Sequence, residues 1–187
     1  MQPLQTPSAP WLRGWTPLQL ALLGASAAAL MAMVVARVGP DPAMLLLAAS
    51  APLIAAIDLR WRIVPNRLVL PLIGALLVAV AASAVLEAQP LRIVGALLGA
   101  AAMSAVYLAP AVLTRRAMGM GDVKLALAIG AVLGASGWQT WLLGVLAGFI
   151  AGAAFGLALL LARRATLRSR MPYAPAMLVG ALLVLLA

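Results

Sequence analysis

The chain contains no cysteine and no histidine. That double absence removes disulfides, thiolate nucleophiles, zinc clusters and imidazole bases together. A membrane serine protease using a Ser–His dyad goes with them, as does a zinc protease built on HExxH. Acids are scarce too: Asp41, Asp58, Glu87 and Asp122 are all there are, and Lys124 is the sole lysine. A Ser–Lys dyad would have to join Lys124 to Ser104 or Ser136, and nothing in the spacing brings either hydroxyl to the amine.

What is present in their place is apolar length. Of 187 residues, 66% are hydrophobic and 9% charged, and the mean hydropathy is +1.13, far outside the range of soluble domains. Long apolar runs recur from residue 18 to the C-terminus, and a membrane span needs roughly 20 such residues. The expectation is an all-α, polytopic membrane helix bundle. A net charge of +9 would suggest nucleic acid in a soluble protein. Here the basic residues sit in short loops between apolar runs, with no aromatic–basic stripe, so orientation in a bilayer accounts for them and no nucleic-acid partner is expected. Only Arg13 charges the front end, and the first apolar run is of span length, which argues against a cleaved signal peptide.

The punctuation predicts about seven spans. Residues 1–17, with Pro3, Pro7, Pro10 and Pro17, read as an irregular tail, with Trp11 and Trp15 as interfacial anchors. Spans are expected at about 18–36, 43–57, 68–86, 91–113, 122–135, 138–162 and from 172 onward, giving one N-terminal span and a six-helix core over about 43–187 within a membrane domain of 18–187. Alternating sides places Arg13, Arg60, Arg62, Arg67, Arg115, Arg116, Lys124, Arg163, Arg164, Arg168 and Arg170 on one face, and only Arg37 and Arg92 on the other. By the positive-inside rule the N-terminus is cytoplasmic and the C-terminus outside. Glycines at every fourth position, Gly144 to Gly156, Gly95 with Gly99, and Gly130 with Gly134, are expected to let helix backbones approach closely.

Asp41 and Glu87 fall in outer turns, where a solvated role suffices. Asp58 and Asp122 do not. Span two offers about fifteen apolar residues before ending on Asp58, about 22 Å of helix against roughly 30 Å of hydrocarbon. Span five is shorter still, so both acids are drawn to the membrane boundary on the same face. Intramembrane acids usually face a bundle interior or a wet cavity. Two carboxylates sharing such a cavity hold a single proton near neutrality: one takes a proton from water, the other polarises a carbonyl. Gly119 and Gly121, lacking Cβ, would let a substrate backbone approach Asp122. Each acid also has a plainer reading, Asp122 as a helix-start charge and Asp58 as a partner of Arg60 or Arg62; their presence together favours an aspartic protease.

Several segments resemble the type IV prepilin peptidases, intramembrane aspartic proteases of the GxGD type. Ile57-Asp58-Leu59-Arg60 followed by Val64-Pro65-Asn66 is similar to the family's first Asp motif, and Met118-Gly119-Met120-Gly121-Asp122-Val123-Lys124-Leu125 to the second. Met171-Pro172-Tyr173-Ala174-Pro175-Ala176 resembles the element that opens the last helix, departing at Tyr173 and Ala174. The resemblance implies Asp58 and Asp122 as the catalytic pair, with no metal or organic cofactor. It implies supporting roles for Gly119, Gly121, Lys124, Pro65 and Asn66, and cleavage of basic leaders from prepilin or pseudopilin precursors at the cytoplasmic face of a bacterial inner membrane. Larger members carry cysteine pairs in a cytoplasmic segment and methylate the new N-terminus; the lack of both here argues against methyl transfer. The compact form resembles the peptidases of tight-adherence pili. The rival expectation is a small transporter using the Asp pair to couple proton or cation movement, although paired inverted repeats with broken helices are not evident.

Overall fold

A computed structural model describes residue 11, residues 14–113, 118–163 and 171–187. Arg13, Arg115, Arg116, Arg164, Arg168 and Arg170 of the charge pattern, and most of the 1–17 tail, lie outside the described residues. Among the described residues there are seven helices and no strand. They are α1 (Pro17–Arg37), α2 (Pro42–Trp61), α3 (Asn66–Leu86), α4 (Leu91–Leu113), α5 (Met120–Ala135), α6 (Trp138–Leu161) and α7 (Ala174–Leu186). The first four and α6 are long and apolar enough to cross a membrane. This is the architecture of a multi-pass helical membrane bundle.

α5 is the axis of the bundle. It touches α2, α3, α4, α6 and α7, and from Asp122 to Ala135 nearly every side chain is buried. A helix apolar on all sides belongs in a core, and the small residues of α5 let five neighbours surround it. Its tightest partner is α4. A Cβ placed on Gly95 would overlap the Gly134 carbonyl oxygen, one on Gly99 that of Gly130, and the reverse substitutions clash equally. The two glycine pairs anticipated in the sequence therefore face each other, and the buried Gly99 carbonyl also accepts a hydrogen bond from Trp141 Nε1 at 2.9 Å. The α6 glycines serve different partners in turn: Gly144 meets Leu133, Gly148 the Tyr107 hydroxyl, Gly152 the Tyr173 ring and Gly156 the Met171 side chain. α1 stays at the periphery, packed mainly on α2.

At the end of the bundle away from Asp58, the turns before α2 and α4 are joined by charge. Asp41 caps α2, its Oδ1 accepting from the Ala43 and Met44 N–H groups, while its Oδ2 pairs with Arg92. Arg92 also pairs with Glu87 at 2.7 Å. Asp41 and Glu87 were expected to be solvated, and Glu87 is exposed; Asp41 instead pairs, partly buried, with Arg92, because the α3–α4 turn carries Arg92 back over the start of α2.

A second correction concerns α2. The helix does not end on Asp58 but continues through Trp61, since Leu59, Arg60 and Trp61 are all compatible with helix. It stops at Arg62, which adopts a left-handed conformation (φ 53°, ψ 40°) and returns its N–H to the Asp58 carbonyl. At 20 residues, α2 is about 30 Å long. Asp58 thus sits one turn inside a full-length helix, and shortness is not what places it at the boundary. The extra turn carries Arg60 over both the Trp15 and Trp61 rings, 5.3 and 4.6 Å from their centroids, and Arg60 Nη1 donates to the Gly14 carbonyl at 3.0 Å. Arg60 is therefore occupied with the segment before α1 and does not pair with Asp58.

Candidate active site

Three segments converge at the Asp58 end of the bundle. The first is the last turn of α2, which holds Asp58 at 3% exposure. The second is the strap that follows it. Pro65, extended at φ −69° and ψ 130°, begins α3, its carbonyl accepting from the Leu68 and Val69 N–H groups. The residue before a proline is held out of the helical region, so Val64 and Pro65 cross the start of α5. Gly121 lies against this strap: a Cβ there would stand 2.9 Å from both the Cβ and the carbonyl oxygen of Val64. Beside it, Lys124 Nζ donates to Asn66 Oδ1 at 2.9 Å. The two motifs, far apart in sequence, are thereby latched together by one close contact and one hydrogen bond. The Lys124 side chain thus reaches the strap that follows Asp58.

The third segment is the start of α5 itself. Asp122, 7% exposed, is the third residue of the helix, and its Oδ2 accepts from the Gly119 N–H at 3.1 Å. This is the reach-back half of a capping box; Gly119 has no side chain to supply the other half. Capping leaves Asp122 Oδ1 buried and without a partner, so the cap reading covers only one of its oxygens.

Asp58 is held by an element whose part sequence reasoning did not foresee. The N–H of Ala174, the first residue of α7, donates to Asp58 Oδ2 at 3.0 Å. Free N–H groups at a helix start are natural partners for a carboxylate. Sequence could flag the Met171–Ala176 segment but not this bond, because the donor is backbone and independent of side-chain identity.

Both carboxylates line one cavity of about 170 Å³, closed by Ile63, Val64 and Met171, with Gly119, Gly121 and Arg62 completing it. Pro65, Asn66 and Lys124 support its wall from outside. Apart from Ser83, Asp58 and Asp122 are the only polar or charged residues buried among the described ones. A larger cavity of about 400 Å³ lies at the other end, beside Asp41, Glu87 and Arg92; there each acid is already paired. No group of three metal-ligating side chains occurs among the described residues.

A family model described as the type IV leader peptidase family matches residues 45–157, more than half of the chain. The chain belongs to that family. No match is found among curated proteins or solved structures. The matched stretch of this leader peptidase relative contains Asp58, the strap through Asn66, and the whole of α5, while α1 and α7 fall outside it. Membership makes the protein a type IV leader peptidase-like protease.

Proposed function

We propose that the protein is an aspartic endopeptidase that removes the basic leader of prepilin-like precursors, and that Asp58 and Asp122 are its catalytic pair. The observation that carries this reading is that two buried carboxylates, sixty-four residues apart in sequence, share one small cavity whose walls are otherwise glycine, apolar side chains and a single arginine.

Two acids at one site suit hydrolysis. One, as carboxylate, takes a proton from water while the water oxygen attacks the scissile carbonyl carbon. The other, protonated, donates to the carbonyl oxygen. The tetrahedral intermediate then collapses, the C–N bond breaks, and the leaving nitrogen takes the proton that water gave up. Since the pair shares one proton, its titration belongs to both residues. A cavity of about 170 Å³ is small beside the 300–1,000 Å³ of ligand pockets; it suits a single peptide unit, with the apolar helix of the precursor remaining outside against the bundle. Gly119 and Gly121 keep the approach to Asp122 free of side chains, and the Val64–Pro65–Asn66 strap with Lys124 fixes α5 against α2. The basic loops favour placing this end on the cytoplasmic side of a bacterial inner membrane, and the compact chain suits a peptidase of tight-adherence pili.

The test is cleavage of a panel of prepilin-type precursors in proteoliposomes by the wild type and by Asp58→Asn and Asp122→Asn, with insertion verified for each. Leader removal by the wild type and its loss in both variants is the expected result. Full activity in either variant would refute the pair, and a wild type that cleaved none of the precursors would refute the substrate class.

A further inference from the structure

The residue that stops α2 is an unusual choice for its backbone. Arg62 is left-handed, at φ 53° and ψ 40°, where an L side chain crowds the following carbonyl oxygen and glycine or asparagine is the ordinary occupant. Two other non-glycine residues have positive φ among the described ones, Ala88 and Arg163. Neither lines the cavity of Asp58 and Asp122, whereas Arg62 does. Unfavourable backbone conformations that persist beside a reaction centre commonly keep a side chain where function needs it. Arg62 is also fixed to Asp58, since its N–H bonds the Asp58 carbonyl at 2.7 Å.

Two neighbouring cations are already occupied. Arg60 lies over Trp15 and Trp61 and bonds the Gly14 carbonyl, and Lys124 bonds Asn66. Arg62 differs: it is exposed, and among the described residues no hydrogen bond or ion pair holds its guanidinium. Apart from the two carboxyl groups, the other lining residues are glycine or apolar, so Arg62 brings the only N–H donors that a side chain offers here. A peptide entering the cavity gives up the hydrogen bonds water made to its carbonyl oxygens, and a carbonyl left unpaired is costly. The protonated acid serves the scissile carbonyl; the carbonyl next to it, at the mouth, needs another donor.

We propose that Arg62 is a substrate-binding residue at the mouth of the cavity, its guanidinium donating to a main-chain carbonyl oxygen of the precursor beside the scissile peptide unit. The planar fork of five N–H groups can serve such an oxygen without a fixed rotamer of the substrate side chains. Main chain suits the role because every precursor carries a carbonyl at that distance from the scissile bond, while a basic leader offers few carboxylates. This rests on the reading of Asp58 and Asp122 as the hydrolytic pair.

The experiment is steady-state cleavage of a prepilin-type precursor in proteoliposomes by the wild type, Arg62→Gly, Arg62→Gln, Arg62→Lys and Asp58→Asn, with thermal unfolding in detergent alongside. Glycine fits the left-handed stop better than arginine does, so Arg62→Gly should keep or raise the thermal midpoint. Loss of a charged donor predicts that its KM rises roughly tenfold to a hundredfold at unchanged kcat. A residue that only ended the helix would lose nothing on becoming glycine. Arg62→Gln keeps an N–H donor without charge and should recover part of the KM. A second precursor, with the acidic residues near its cleavage site changed to amides, should show the same rise with Arg62→Gly. Wild-type KM in Arg62→Gly overturns the binding role, and a lowered KM overturns it too, assigning Arg62 to repulsion of the basic leader. Recovery by Arg62→Lys but not by Arg62→Gln, with the Arg62→Gly effect lost on the amidated precursor, makes the acceptor a carboxylate and overturns the carbonyl assignment. If Asp58→Asn is inactive while Arg62→Gly has wild-type KM, the Arg62 role alone falls; if Asp58→Asn cleaves normally, the pair itself falls and the Arg62 role with it.

Discussion

At the scale of single residues, a carboxylate's surroundings decide its use. Asp41 spends both oxygens on structure, one capping α2 and one on Arg92, whereas Asp122 gives one to its own helix start and leaves the other open. Gly121 shows the same economy of space. Gly121→Ala puts a methyl 2.9 Å from the Val64 carbonyl oxygen and Cβ, neither of which can swing away, so the strap must shift. A stability loss of about 1–3 kcal/mol is expected, measured by thermal unfolding in detergent, together with a fall in cleavage larger than the stability loss explains. Asp58 and Asp122 were legible in the sequence because they are the two acids lying at the ends of apolar runs on one face. The Ala174 bond to Asp58 was not, because every residue except proline carries a backbone N–H and only the packing of α7 selects this one.

At the scale of helices, most boundaries could be read because turns such as Gly39-Pro40-Asp41-Pro42 interrupt the apolar runs. The end of α2 could not. Its stop is Arg62 in a left-handed conformation, a role sequence normally signals with glycine or asparagine. Glycine spacing announced close packing but not the pairing of α4 with α5, since the pattern marks a face and not its partner. That pairing predicts that Gly134→Ala, whose Cβ meets the Gly95 backbone, destabilises the bundle by about 3 kcal/mol or more, beyond the ordinary range for overpacking because backbone cannot yield as side chains do. By contrast, the exposed bond between Lys124 and Asn66 contributes at most about 1 kcal/mol. A double-mutant cycle of Lys124→Ala and Asn66→Ala should return a coupling of that size.

At the scale of the whole molecule, the bundle is fastened differently at its two ends: at one by the Arg92 clamp, at the other by the strap across α5. Arg92→Ala leaves Asp41 partly buried and unpaired, and about 3 kcal/mol of stability should be lost, with cleavage retained at temperatures where the variant stays folded. The proposed orientation is testable because the native chain holds no cysteine. In right-side-out vesicles a membrane-impermeant thiol reagent should label Gln89→Cys from outside and reach Arg163→Cys only after the membrane is opened. The central claim, that Asp58 and Asp122 act as one hydrolytic unit, is tested most directly by single-turnover cleavage in proteoliposomes with the wild type, Asp58→Asn, Asp122→Asn and the double variant. Residues that act together are strongly non-additive, so each single variant should lose as much rate as the double. A single variant that retains substantial cleavage, with the double far slower than either, would contradict the account.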